Sequence, residues 1–141
     1  MQKIEMIRPD IFVIRLGDEI PEIKQEKKFS CFFIVNRMND KEYIKSLAKR
    51  LLRAGCREFS FYGTENSIWH CTVDEEDKEL VHDEEDAVYT FSVKVMDGFL
   101  EELHLDISLI YCDYVDRYLF YDDETLYRKV IEKLNEMPLE E

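Results

Sequence analysis

A histidine, two cysteines and a run of carboxylates fall close together in one stretch of this chain, Leu51 to Asp77 (LLRAGCREFSFYGTENSIWHCTVDEED). Within it, His70-Cys71-Thr72 has the H-x-T form used by phosphoesterases that grip a phosphate between two such motifs. A second copy is needed, and neither other histidine supplies it: His82 is followed by Asp83-Glu84 and His104 by Leu105-Asp106. Cys56 and His70 have the residue types of a nucleophile and its base, but nothing in their spacing requires the pairing. Cys56, beside an apolar segment, reads more simply as packing. No pair among Cys31, Cys56, Cys71 and Cys112 has C-x-x-C spacing. Buried free thiols in a reducing cytoplasm are therefore expected, and no metal site. The acids between Asp74 and Asp86 lack the order of an EF-hand loop. The 4 glycines are never clustered, which excludes the glycine-rich phosphate loops and a nucleotide held by them. No catalytic residue and no cofactor is assigned.

The net charge is −13 in 141 residues, with 45% hydrophobic residues to build a core. Such acidity argues against nucleic acid and against anionic membrane surfaces, and it permits a basic protein partner. Residues 1–9 have no apolar stretch of signal-peptide length, and no run is long enough to cross a membrane, so a cytoplasmic protein is expected. The only tryptophan, Trp69, stands just before the acidic run. An aromatic anchor flanked by acids suits docking to a basic surface. The plainer alternative is Trp69 packed in the core with the acids merely solvated.

These residues need a scaffold, and the apolar pattern supplies one. Cys31 to Val35 is a continuous apolar run typical of a strand buried on both faces. Asn39, with Glu42 three residues on, opens a helix with Tyr43, Ile44, Leu47, Ala48, Leu51 and Leu52 inside, and Gly55 closes it. Glu58 to Tyr62 alternates as a strand ending at Gly63. Ile68, Trp69, Val73 and Leu80 fit a short second helix, while the dense like charges from Asp74 to Asp86 predict a surface loop, at most frayed helix. A strand over 87–93 follows, then a helix capped by Asp97 with Phe99, Leu100, Leu103, Ile107, Ile110 and Tyr111 inside. Tyr118 to Tyr121 is the last strand, and Asp122 or Asp123 caps a final helix ending before Pro138. Before all this, Ile11 to Leu16 reads as an added edge strand or hairpin arm after an irregular lead-in. The alternation predicts a single three-layer α/β domain over 1–141, with 1–29 as lead-in and edge strand. Its βαβαβαβα core at 30–137 would hold a mostly parallel sheet of four to five strands.

The central stretch resembles a small bacterial domain family of unknown function. Its pattern is L-x-x-S-G-C-R-Y, a strand-ending Gly, S-x-W and a V-D pair, followed by a later strand with paired threonines. Matching residues here are Leu51, Ala54, Gly55, Cys56, Arg57, Gly63, Ser67, Trp69, Val73, Asp74, Val88 and Thr90, over roughly residues 31–120. Ala54 replaces the serine, Asn66 a usual cysteine, and His70-Cys71 two usual acids. The resemblance implies the α/β architecture and no particular chemistry.

Two readings of function follow. The first is a non-enzymatic acidic binding protein that recognises and neutralises a basic partner, as immunity or inhibitor proteins do. Tyr62, Trp69, Asp74, Glu75, Glu76, Asp77, Glu84 and Glu85 would carry it. The alternative is a small-molecule-binding or enzymatic domain using the crevice beyond the carboxyl ends of the parallel strands, with Arg37, Thr64, Asn66, His70 and Asp122. The first is preferred, because no catalytic constellation emerges. Complementarity between the basic helix 39–54 and the acidic run 74–86 also hints at a homo-oligomer.

Overall fold

A computed structural model describes residues 5–8, 11–17, 20, 22–23, 28–79, 87–108 and 117–137, with backbone alone for 5–8 and 105–108. The elements in chain order are β1 (Glu5–Arg8), β2 (Ile11–Arg15), β3 (Phe29–Ile34), α1 (Lys41–Ala54), β4 (Cys56–Tyr62), α2 (Asn66–Glu79), β5 (Tyr89–Val93), α3 (Met96–Ser108), β6 (Arg117–Tyr121) and α4 (Glu124–Glu136). Five strands form a parallel sheet in the order β2-β6-β3-β4-β5, and β1 adds antiparallel beyond β2. This is the expected three-layer α/β fold. Residues 5–8 form a strand rather than an irregular lead-in. It pairs antiparallel with β2, so β2 is the hairpin arm and not an edge strand, lying between β1 and β6.

Alternation along the strands divides the core into two layers. Phe33, Phe59, Phe61 and Phe120 face α1 and α2, meeting Ile44, Leu47, Leu51, Trp69 and Val73. Phe32, Ile34 and Leu119 face the other way, onto Phe99, Leu100 and Leu103 of α3 and Val130 and Leu134 of α4. All six residues of β3 are buried, as a central strand covered on both faces requires. On the α1/α2 side Phe33 is the hub. Its ring centroid lies 4.8 Å from Phe120, 4.9 Å from Trp69 and 5.1 Å from Phe61.

The helix ends follow capping chemistry, with one correction. Asp40, not Asn39, caps α1, its carboxylate accepting from the amides of Glu42 (3.0 Å) and Tyr43 (3.4 Å). An ionised oxygen one residue closer to the helix satisfies two orphan amides and complements the helix dipole. Gly55 takes the left-handed conformation (φ 115°) that closes α1. Asp97 lies in the first turn of α3, inside the helix it was expected to cap. The end of α3 as read from sequence, at Ile110 and Tyr111, lies outside the described residues.

The larger correction concerns Asp74 to Glu79, expected as a loop and found in α2. The missing term was tertiary. Lys41 reaches Glu75 (3.4 Å), and Lys45 and Lys49 both reach Glu76 (3.8 Å each) across the α1–α2 contact. Opposite charge from α1 offsets the like-charge repulsion within α2. Part of the basic and acidic surfaces that hinted at a homo-oligomer, Lys41, Lys45 and Lys49 with Glu75 and Glu76, therefore meets inside one chain.

Candidate functional site

In an open parallel sheet the natural crevice opens where neighbouring strands send their chains to opposite faces. β3 leads to α1 on one face and its neighbour β6 leads to α4 on the other. Asn36, Arg37 and Met38 follow β3 there, and Asp122 and Asp123 follow β6. Asp122 Oδ1 accepts from the Asn36 amide (2.8 Å), and Oδ2 accepts from the amides of Arg37 (2.8 Å) and Met38 (2.6 Å). Three successive amides turned toward one point form a nest suited to an anion. Asp122 supplies that anion from within the chain.

Asn36 ties in the rest. Its Nδ2 donates to Asp123 Oδ2 (3.0 Å) and its Oδ1 accepts from the Thr64 amide (2.8 Å). Thr64 Oγ1 donates back to the Asn36 carbonyl (3.1 Å). Gly63, at φ 124°, lets the two strand ends touch: a Cβ there would lie 2.2 Å from the Val35 carbonyl oxygen. Asp123 caps α4 by accepting from the Leu126 amide (3.1 Å). The Asn36 amide group, then the Leu126 N–H, and more weakly the Arg37 charge, hold its carboxyl below the usual aspartate range. Of the alternative crevice residues, the structure thus unites Arg37, Thr64 and Asp122. Asn66 sits alongside at the start of α2, bonded to the Gly63 carbonyl (2.7 Å).

His70 belongs elsewhere. It packs its ring near Phe61 (6.2 Å) and reaches β5, the sheet edge opposite β1. Its Nδ1 lies 2.6 Å from Ser92 Oγ, and its Nε2 lies 3.0 Å from Thr90 Oγ1 and 3.2 Å from Asp74 Oδ2. Thr90 Oγ1 donates to Asp74 Oδ1 (2.7 Å). Asp74 stands one helical turn after His70, a spacing visible in the sequence. The partners Thr90 and Ser92, 20 and 22 residues away, come from the fold.

The partner-binding set does not form one surface. Trp69 is 1% exposed and donates its indole N–H to the Met38 carbonyl (2.8 Å), so it is a core residue rather than an exposed anchor. Tyr62 lies across the sheet, half-buried and stacked on Phe99 (5.5 Å). Glu76 is buried at 3% against the two lysines, Glu75 is exposed, and Asp77 is half-buried. Glu84 and Glu85 lie outside the described residues. Sequence reasoning missed the large apolar side chains that are exposed: Tyr89 at 57%, Phe91 at 40% and Val95 at 62%. The alternation of Tyr89 and Phe91 matches that of a buried strand, and only the place of β5 at the edge separates the two.

The thiols are not uniformly buried. Cys31 and Cys56 are, and burial together with the adjacent Cys56 thiol pushes the Cys31 thiol well up. Cys71 is exposed. Among the described residues no group of three His, Cys, Asp or Glu side chains is arranged to hold a metal, and no helix is long and apolar enough to cross a membrane. A cleft of about 310 Å³ lies between Ile20 and Ile23 and the Leu47 and Leu51 side of α1, where Arg50 donates to the Ile20 carbonyl (3.1 Å).

The molecule is thus a parallel α/β domain whose central junction is knotted by its own side chains and whose polar cluster lies at one edge. The chain belongs to the family described as Domain of unknown function (DUF7684), whose model matches residues 11–96. The match begins earlier and ends earlier than the resemblance read over 31–120, taking in β2 and stopping at the start of α3. No curated protein and no solved structure matches the chain.

Proposed function

We propose that this domain is a protein-binding module that recognises a basic partner, in the manner of an inhibitor, along the β5 edge. The observation that carries the reading is the exposure of Tyr89 and Phe91 on the edge strand β5, with exposed Val95 just beyond its end. Alternation puts Tyr89 and Phe91 on the same side as Val93, the α3 side, where Glu102 accepts from Ser60, the β4 residue paired with Phe91. Exposed aromatic side chains are common anchors of a protein interface. An edge strand also offers backbone groups to a pairing segment. The chain's charge of −13 selects for a basic partner and should speed its association. This relocates the binding surface from Trp69 and Glu76, which are buried, to β5. The rival crevice reading loses ground because Asp122 and Asn36 consume the polar groups at the strand ends.

The test is a pull-down from the source lysate with the wild-type chain and the Tyr89→Ala/Phe91→Ala double variant, at low and high salt. A stoichiometric basic protein is expected. It should be lost with the aromatic pair and weakened by high salt. Retention of that protein by the variant, or no partner at all, would remove β5 as the binding edge.

A further inference from the structure

The hydrogen bonds around His70 fix where its proton sits. Thr90 has one hydroxyl proton, and it goes to Asp74 Oδ1, since a carboxylate can only accept. Toward His70 Nε2, Thr90 Oγ1 can then only accept, so in the neutral ring Nε2 carries the hydrogen, shared between Thr90 Oγ1 and Asp74 Oδ2. Nδ1 is left with its lone pair, and the Ser92 hydroxyl 2.6 Å away donates to it. A serine hydroxyl on a histidine base, with the far nitrogen of that base oriented by a carboxylate, is the nucleophile–base–orienter arrangement of covalent catalysis. Here the two ring nitrogens exchange their customary places. Ser92 is exposed, so its oxygen can be reached from solvent. His70 is held from both sides, by the Asp74–Thr90 pair and by contact with the Phe61 ring.

We propose that Ser92 is a nucleophile activated by His70, and that this cluster cleaves small acyl esters. Ser92 Oγ attacks the ester carbonyl carbon as its proton passes to His70 Nδ1. Collapse of the tetrahedral adduct breaks the bond to the alcohol oxygen, which takes the proton from Nδ1 and leaves. Water, deprotonated by the same nitrogen, then attacks acyl-Ser92, releases the acid and restores the hydroxyl. Asp74 and Thr90 are positioning residues: they hold the tautomer and compensate the charge that develops on the ring. The open edge favours small esters with good leaving groups over amides, which demand stronger stabilisation of the oxyanion. Thr90 and Ser92 lie on the α2 side of β5, the face opposite Tyr89 and Phe91.

The experiment is incubation of the full chain with an alkyl fluorophosphonate, followed by mass spectrometry, with p-nitrophenyl acetate hydrolysis measured in parallel. A single adduct at Ser92 is expected, with P–F broken and Oγ–P formed, absent in Ser92→Ala. Labelling should slow roughly 100-fold in His70→Asn. Asp74→Asn, at a half-exposed helix position that should not disturb folding, should slow labelling by about tenfold and alter its pH profile while leaving the melting temperature unchanged. Absence of the adduct in the wild-type chain, an adduct at another residue, or equal labelling rates in wild type and Asp74→Asn would each overturn the proposal.

Discussion

Asp122 and Asp74 are both carboxylates at the boundary between a parallel sheet and a helix layer, yet they do different work. Asp122 accepts three backbone amides from one turn and joins two neighbouring strand ends. Among the described residues Asp74 is bonded to side chains, Thr90 of the edge strand β5 and His70 of its own helix. Backbone amides cannot swing out to serve a ligand, and leaving them unsatisfied is costly. Side chains on an edge can be lost with little damage, and they leave a hydroxyl facing solvent. Position at the carboxyl end of a parallel strand therefore does not make a site by itself. What matters is whether the polar atoms there are already used by the main chain.

The contrast can be broken at its strongest point first. Gly63→Ala puts a methyl against the Val35 carbonyl at a backbone angle that alanine resists. It should cost about 3 kcal/mol or more, read as a fall in melting temperature of roughly 10 °C. Asp122→Ala should come next, at about 2–3 kcal/mol in denaturant unfolding, because it strands three amides, one of them exposed enough to rehydrate. His70→Ala should cost about 1 kcal/mol or less, with faster amide exchange confined to β5. If Asp122→Ala proved as mild as His70→Ala, the distinction between the two networks would fail.

The smallest effect is with pH. The Asp123 carboxyl titrates below its ordinary value, so its contribution is fully present above the usual aspartate pKa of about 3.9 and is lost as pH falls through the lower folded value. Asn36→Ala removes the first cause of that shift. A carboxyl NMR titration should then find Asp123 moved back up toward the usual range, and an unmoved titration would take Asn36 out of the junction's electrostatics.

Local rules made much of this fold readable. The Cys31–Val35 run, the apolar stripe of α1 and the glycine that ends it each state their structure within a few residues. Trp69 and Val73, one helical turn apart, already had core spacing, although the neighbouring acids drew attention outward. What stayed hidden depends on distant partners. Nothing near Glu76 announces that Lys45 and Lys49 will neutralise it, so the acids read as a loop. Nothing local sets Tyr89 and Phe91 apart from Phe59 and Phe61, since edge and centre share one alternation. The His70 cluster was half visible in the Asp74 spacing. Ser92 joined it only through the pairing of β5 with β4.

β6 enters the sheet between β2 and β3, although it is made after both and after β4 and β5. In the parallel sheet β2 has no other hydrogen-bonded neighbour. During synthesis the earlier strands must therefore wait beside an empty slot, and the sheet is completed only when residues 117–121 have left the ribosome, with Asp122 immediately behind them to lock the strand ends. A nascent chain halted at residue 96, the limit of the family match, would hold β3, β4 and β5 together but leave the β1–β2 hairpin unpaired with them. Such a species exposes unpaired strand edges and is a natural substrate for chaperones.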